Sequence, residues 1–143
     1  MRTGWFAAAA LTLAPASAFA QIAAGWHPPR DNPLFSPLRH GDPDAQSGPL
    51  CTVSDHSGRE LMAYGEEDGD VGLRIGGRLV RFRQMNRNDS GIDNFTAPEG
   101  RLRIVQGRVI SREQEGISYR ATMTFTDRHN RAHVAQVRVD CGV

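Results

Sequence analysis

Lysine is absent from all 143 residues of this chain, so arginine supplies every one of its 17 fixed positive charges. Acids number 16, leaving a formal net charge of +1. That balance argues against nucleic acid or an anionic membrane as the main partner, since both demand a clear excess of positive charge. Cysteine is nearly as scarce, with only Cys51 and Cys141. They lie far apart and form no CxxC, which argues against a metal or redox role. No GxSxG is present, and the triad residue types Asp55, His56 and Ser57 are adjacent, whereas a nucleophilic triad converges from separated segments. Beyond residue 20 there is no apolar run of membrane-spanning length and no sustained helical period.

What is present starts with an export pattern. Arg2 supplies a short basic start, an alanine-rich apolar run extends from Trp5 to Ala14, and Ala18-Phe19-Ala20 is a small-x-small cleavage site. The expected division is a signal peptide at 1–20, with cleavage between Ala20 and Gln21 and a periplasmic or secreted product. In such a compartment a lone cysteine pair bonds, so Cys51–Cys141 is expected as a disulfide. Closing so long a loop stabilises by roughly 4–5 kcal/mol in the chain-entropy model, less any strain.

Residues 21–49 form an expected proline-rich arm, because Pro28, Pro29, Pro33, Pro37, Pro43 and Pro49 prevent helix and remove ladder donors. Trp26, Leu34, Phe35 and Leu38 give it apolar points able to dock onto the domain or a partner; the preferred expectation is an extended, partly mobile segment.

From residue 50 to 143 the pattern becomes short runs of period two separated by turn residues. Strands are expected at 50–54, 60–64, 71–75 and 78–83, with Gly76-Gly77 as a two-residue hairpin. A polar loop is expected over Gln84–Asn94, then short strands at 95–97, 102–104 and 109–110, and a turn over Arg112–Gly116. The clearest strand is 119–126, where Tyr119, Ala121, Met123 and Phe125 share one face. The last runs from 132 to 141. The pattern predicts an all-β domain, a small antiparallel barrel with a sandwich as the alternative.

Several clusters were weighed for chemistry. His129 and His133 have the metal-ligand spacing of a helix but straddle a turn and a strand start, so exposed hairpin histidines are expected. The acidic turn Glu66–Asp70 lacks calcium-loop spacing, and Asn86–Asp93 lacks a terminal carboxylate ligand. Asn94-Phe95-Thr96 matches a glycosylation sequon of little weight here. Arginines 74, 78, 81, 83, 101, 103 and 108 fall mostly opposite the apolar positions. They suit either an acidic ligand or cross-strand pairs on a solvated face, with the second preferred.

The stretch Asp70-Val71-Gly72-Leu73-Arg74-Ile75-Gly76-Gly77-Arg78-Leu79, followed by Ser90-Gly91 and by Leu102 to Gly107, resembles the periplasmic inhibitors of c-type lysozyme. The resemblance implies a small exported barrel whose Ser-Gly loop, here Ser90 and Gly91, enters a lysozyme cleft. That family's aromatic after Ser-Gly corresponds to Phe95, one position late. Its lysine-bearing segment reads Ile104-Val105-Gln106-Gly107 here, without the lysine.

The expectation is therefore a noncatalytic exported binding protein. Its binding residues are Ser90, Gly91 and Phe95, it has no cofactor, and its partner is a cell-wall-degrading enzyme or another envelope protein. A small-ligand carrier and a structural envelope accessory are the alternatives.

Overall fold

A computed structural model of the protein describes residues 31–42, 50–65, 69–85 and 91–142. The expected signal peptide lies outside them, as do all but residues 31–42 of the expected arm. Every described element is a strand: β1 (Phe35–Ser36), β2 (Cys51–Ser54), β3 (Glu60–Tyr64), β4 (Asp70–Ile75), β5 (Arg78–Gln84), β6 (Ile92–Ala97), β7 (Gly100–Glu113), β8 (Gly116–Asp127) and β9 (Ala132–Gly142).

All nine belong to one antiparallel sheet in the order β1-β4-β5-β6-β7-β8-β9-β2-β3. The sheet curls until its two end strands nearly meet. Just past β1, Leu38 N donates to Glu60 O of β3 at 2.9 Å and bridges the seam. One sheet closing on itself is a barrel, and the sandwich alternative is set aside.

Alternation decides which side of each strand faces inward. Val80, Phe82 and Gln84 of β5, Leu102 and Ile104 of β7, and Tyr119, Ala121, Met123 and Phe125 of β8 are buried, while Arg81, Arg83, Arg101, Arg103 and Arg120 between them are exposed. Phe82 meets Phe125 edge-on at 6.0 Å between ring centroids. Tyr64, Phe82, Phe95 and Met62 are the largest fully buried side chains, each contributing roughly 1.5–3 kcal/mol by leaving water.

The longest ladder departs from expectation. Segments 102–104 and 109–110 are parts of one 14-residue strand, β7. It has register shifts between Gln106 and Val109 and between Val109 and Ser111. Gly107 permits them, because a Cβ there would lie 2.9 Å from Arg120 O. The shifts break the alternation, so residues 106–110 are all exposed, Val109 and Ile110 included. A two-register segment cannot show one clean period, which is why the sequence pattern split it. Within the expected polar loop Gln84–Asn94, Gln84 closes β5 and β6 already begins at Ile92.

Two observations concern the arm. Over residues 31–42 it docks onto the barrel: Phe35 pairs with Ile75 and Ser36 with Arg74, and Phe35 joins the core at 7% exposure. Asp42 then holds Arg74 in a fork, accepting from Nε at 2.7 Å and Nη2 at 2.8 Å. That guanidinium, followed by the Arg39 backbone N–H, holds the Asp42 carboxyl below its ordinary range. This segment fills the space beside the β3–β4 seam, a tertiary role its proline content did not reveal.

The disulfide forms between Cys51 and Cys141, 90 residues apart in sequence and directly opposite each other on β2 and β9.

Candidate functional site

Three places carry unusual chemistry: a pair of hairpin turns, a polar end of the barrel, and an arginine-lined wall.

The turns share one local design. After β2, Asp55 Oδ1 accepts from Ser57 N and Arg59 N, both at 2.9 Å, and Oδ2 accepts from Arg59 Nε at 2.8 Å. After β8, Asp127 Oδ1 accepts from His129 N at 2.8 Å and Arg131 N at 3.0 Å, and Oδ2 from Arg131 Nε at 2.9 Å. Gly58 and Asn130 occupy the same left-handed position, with φ of 78° and 60°. Aspartate and asparagine favour such turns because their short side chains bond the local backbone. The sequence carries this design as Asp-x-x-Gly-Arg at 55–59 and Asp-x-x-Asn-Arg at 127–131. Asp55 is thus occupied in shaping its own turn, beside an exposed His56, and the trio 55–57 is a polar turn. His133 Nε2 lies 3.4 Å from Asp127 Oδ2, and its ring stacks on Phe125. Among the described residues no three potential ligands converge on a metal position.

These bonds hold the Asp127 carboxyl well below the ordinary carboxylate range, the Arg131 backbone N–H first among the causes. A lowered folded-state value stabilises the fold above the unfolded carboxylate range and loses that contribution as pH falls through the folded value. Asp127→Asn is therefore expected to lower the melting temperature at neutral pH, with the deficit shrinking below about pH 4. Thermal melts of both proteins across that range check it; a deficit independent of pH contradicts the assignment.

At the barrel end bearing Gly91, the inward-facing side chains turn polar. Tyr64 Oη donates to Asp93 Oδ2 at 2.7 Å inside the barrel, and burial, reinforced by Asp93, pushes the Tyr64 phenol well above its usual value. Gln84 is buried at 4%, and its Oε1 has no hydrogen-bond partner.

The expected binding residues fare differently here. Ser90 lies outside the described residues. Gly91 begins the turn into β6 with φ of 72°, and its carbonyl accepts from Gln106 N at 2.8 Å. That left-handed φ favours glycine, and a Cβ there would also push on the Gln106 side chain, 2.8 Å from its Oε1. Phe95 does not belong with them at a surface. It is 1% exposed and packs edge-on to Tyr64 at 5.2 Å, because position 95 falls on the inward phase of β6. Its role is in the core.

The arginine wall runs across β4 to β7. Arg83 lies opposite Thr96, Thr96 opposite Arg101, and Arg101 opposite Thr126. One step along, Asn94 lies opposite Arg103, and Arg103 opposite Thr124. Arg81 and Arg83 stand about 7 Å apart along β5, as do Arg101 and Arg103 along β7, and the two pairs are separated by about 10 Å across the sheet. All four are exposed, and none makes an ion pair among the described residues. Asp70 opposes Arg83 in register without pairing to it. Arg74 is set apart by its fork to Asp42, and Arg138 by Asp140 at 2.8 Å. The cross-strand neutralisation expected for this face is thus missing at its centre.

A further concavity of about 260 Å³ lies between the arm and the barrel, where Pro33, Phe35, Leu61 and Val137 meet the rim residues Asp31 and Arg59.

Comparisons with protein-family models, with curated proteins and with solved structures returned no match.

Proposed function

We propose that this is a noncatalytic exported protein of the periplasm or exterior that binds another macromolecule through its outer β5–β7 face. The observation that carries this is the set of four arginines, 81, 83, 101 and 103, exposed on neighbouring strands with no acidic partner among the described residues. The sheet fixes the spacing of their backbones, and each guanidinium presents a fork suited to a carboxylate. The interior supports a macromolecular over a small-molecule partner, because large side chains fill it. The disulfide and the N-terminal pattern support export.

The specific partner is a cell-wall-degrading enzyme, with c-type lysozyme as the named candidate from the Ser90-Gly91 resemblance. A lysozyme activity assay at high micromolar protein tests it, and undiminished activity removes that candidate. The broader proposal is tested by capture from envelope extract, comparing the oxidised protein with a variant carrying serine at 81, 83, 101 and 103. Its expected result is a partner retained by the first and reduced at least tenfold on the second. Equal capture by both, or capture by neither, overturns the assignment of this face.

The second reading is a small-ligand carrier, favoured by the 260 Å³ concavity beside the arm. That volume falls just below the roughly 300–1,000 Å³ usual for ligand sites.

A further inference from the structure

The wall of the barrel is not paired along its whole height. β5 and β6 share only the pairs Arg83–Thr96 and Gln84–Phe95, extended by Met85 N donating to Asn94 O at 2.8 Å. Continuing the register by two residues would set Arg81 opposite Pro98. Proline has no N–H to give, and Pro98 already lies in the turn from β6 to β7. The ladder therefore stops, and among the described residues no strand pairs with the lower part of β5 on that side.

Which groups are left over follows from the alternation of hydrogen bonds. Gln84 N points to β4, donating to Gly69 O, while Met85 N points to β6. Stepping back by twos from Met85 turns the backbone groups of Arg83, Arg81 and Leu79 the same way. Arg83 finds Thr96, but Arg81 and Leu79 face the gap. They offer it two donors and two acceptors. Next to it, on the outer face, lies an open depression of about 480 Å³, lined by Asp70, Arg81, Arg83, Thr96, Ala97 and Pro98.

We infer that the free edge of β5 at Leu79 and Arg81 is a strand-addition site for an extended acidic segment of a partner protein. This inference rests on the binding function proposed above and names how the partner is held. Two independent features select this occupant. The unpaired donors and acceptors call for another backbone, because an anionic polymer without amides satisfies neither set fully. The arginines call for negative charge, with Arg81 on the open edge and Arg83 about 7 Å further along β5. An acid of the added segment beside this edge meets the Arg81 guanidinium, while Arg83 stands one rung away, where Thr96 already pairs. The intervening side chains turn inward beside Ala97, which packs against the core. An exposed edge usually carries charge that discourages pairing. Here the charge on β5 itself is all positive, so it repels a second copy of the same edge and admits an acidic one.

The test uses the oxidised protein, isotope-labelled for amide exchange, and a short blocked peptide alternating glutamate with valine. Expected is at least tenfold slower exchange at the Leu79 and Arg81 amides on saturation. A peptide of equal charge interrupted by proline, which cannot add as a strand, is expected to leave those amides unchanged. Paired replacement Arg81→Ala with Arg83→Ala is expected to weaken binding at least tenfold without altering the melting temperature by more than a few degrees. Absence of binding overturns the inference. So does binding that leaves both amides exchanging freely, or equal binding of the proline-interrupted peptide or of dextran sulfate, each of which marks a purely electrostatic surface. If a partner captured through the arginine face also leaves the Leu79 and Arg81 amides unprotected, strand addition fails while the binding function stands.

Discussion

Replacing Cys51 and Cys141 together by alanine is expected to lower the stability of the oxidised domain by roughly 4–5 kcal/mol. The loop they close spans 90 residues, and cross-linking it removes many conformations from the unfolded chain. The position of the bond adds a local consequence. β2 and β3 form a hairpin at one end of the sheet order, and β2 pairs with β9 over only four residues, Cys51 to Ser54. Apart from that ladder and the disulfide, the backbone bond from Leu38 to Glu60 is a further tie. Without the disulfide, amides of β2 and β3 are expected to exchange earlier than those of β7 and β8. Urea unfolding of the oxidised protein and the double variant measures the global effect, and amide exchange the local one. Equal stability of the two proteins, with unchanged exchange in β2 and β3, would show that the crosslink contributes nothing to holding that hairpin.

Phe95→Ala is the second large effect, expected to destabilise by about 3–5 kcal/mol. The ring is 1% exposed, lies edge-on to Tyr64 and shares the inward face of β6 with Asp93. Removing it leaves a void beside the buried Tyr64–Asp93 hydrogen bond and loosens the packing that holds it. Phe95→Leu, which retains most of the volume, is expected to recover the larger part of the loss. Denaturant midpoints for the three proteins rank them. The same series separates two roles for this residue, since a partner contact would change affinity while sparing stability. A large affinity loss in a fully stable Phe95→Ala protein would return the residue to the binding surface.

Strand positions were legible where a strand keeps one register. In β8 the apolar and polar positions alternate without interruption, and the burial of Tyr119, Ala121, Met123 and Phe125 follows it. β3 and the Gly76-Gly77 hairpin were equally plain. Legibility failed where a feature depends on a distant neighbour. The bulges of β7 answer to the backbone of Arg120, and the docking of Phe35 answers to β4. Asp93 reads as an ordinary loop acid until β6 turns it inward toward Tyr64.

The candidate site divides the same way. That arginines 81, 83, 101 and 103 point away from the core is a local matter of phase. That they stand in two pairs with Thr96 and Asn94 between them, without an ion pair among the described residues, depends on which strands are neighbours.

From residue order alone come most of the strands and hairpin turns, the inner and outer side of each strand that keeps one register, and the cysteines available for bonding, because period-two burial and turn chemistry act over a few residues. The closure of the sheet through Leu38 and Glu60, the placing of the arm in the wall, and the gap that Pro98 leaves beside Arg81 were decided only in three dimensions. They arise from pairings between segments far apart in the chain, whose geometry no local pattern encodes.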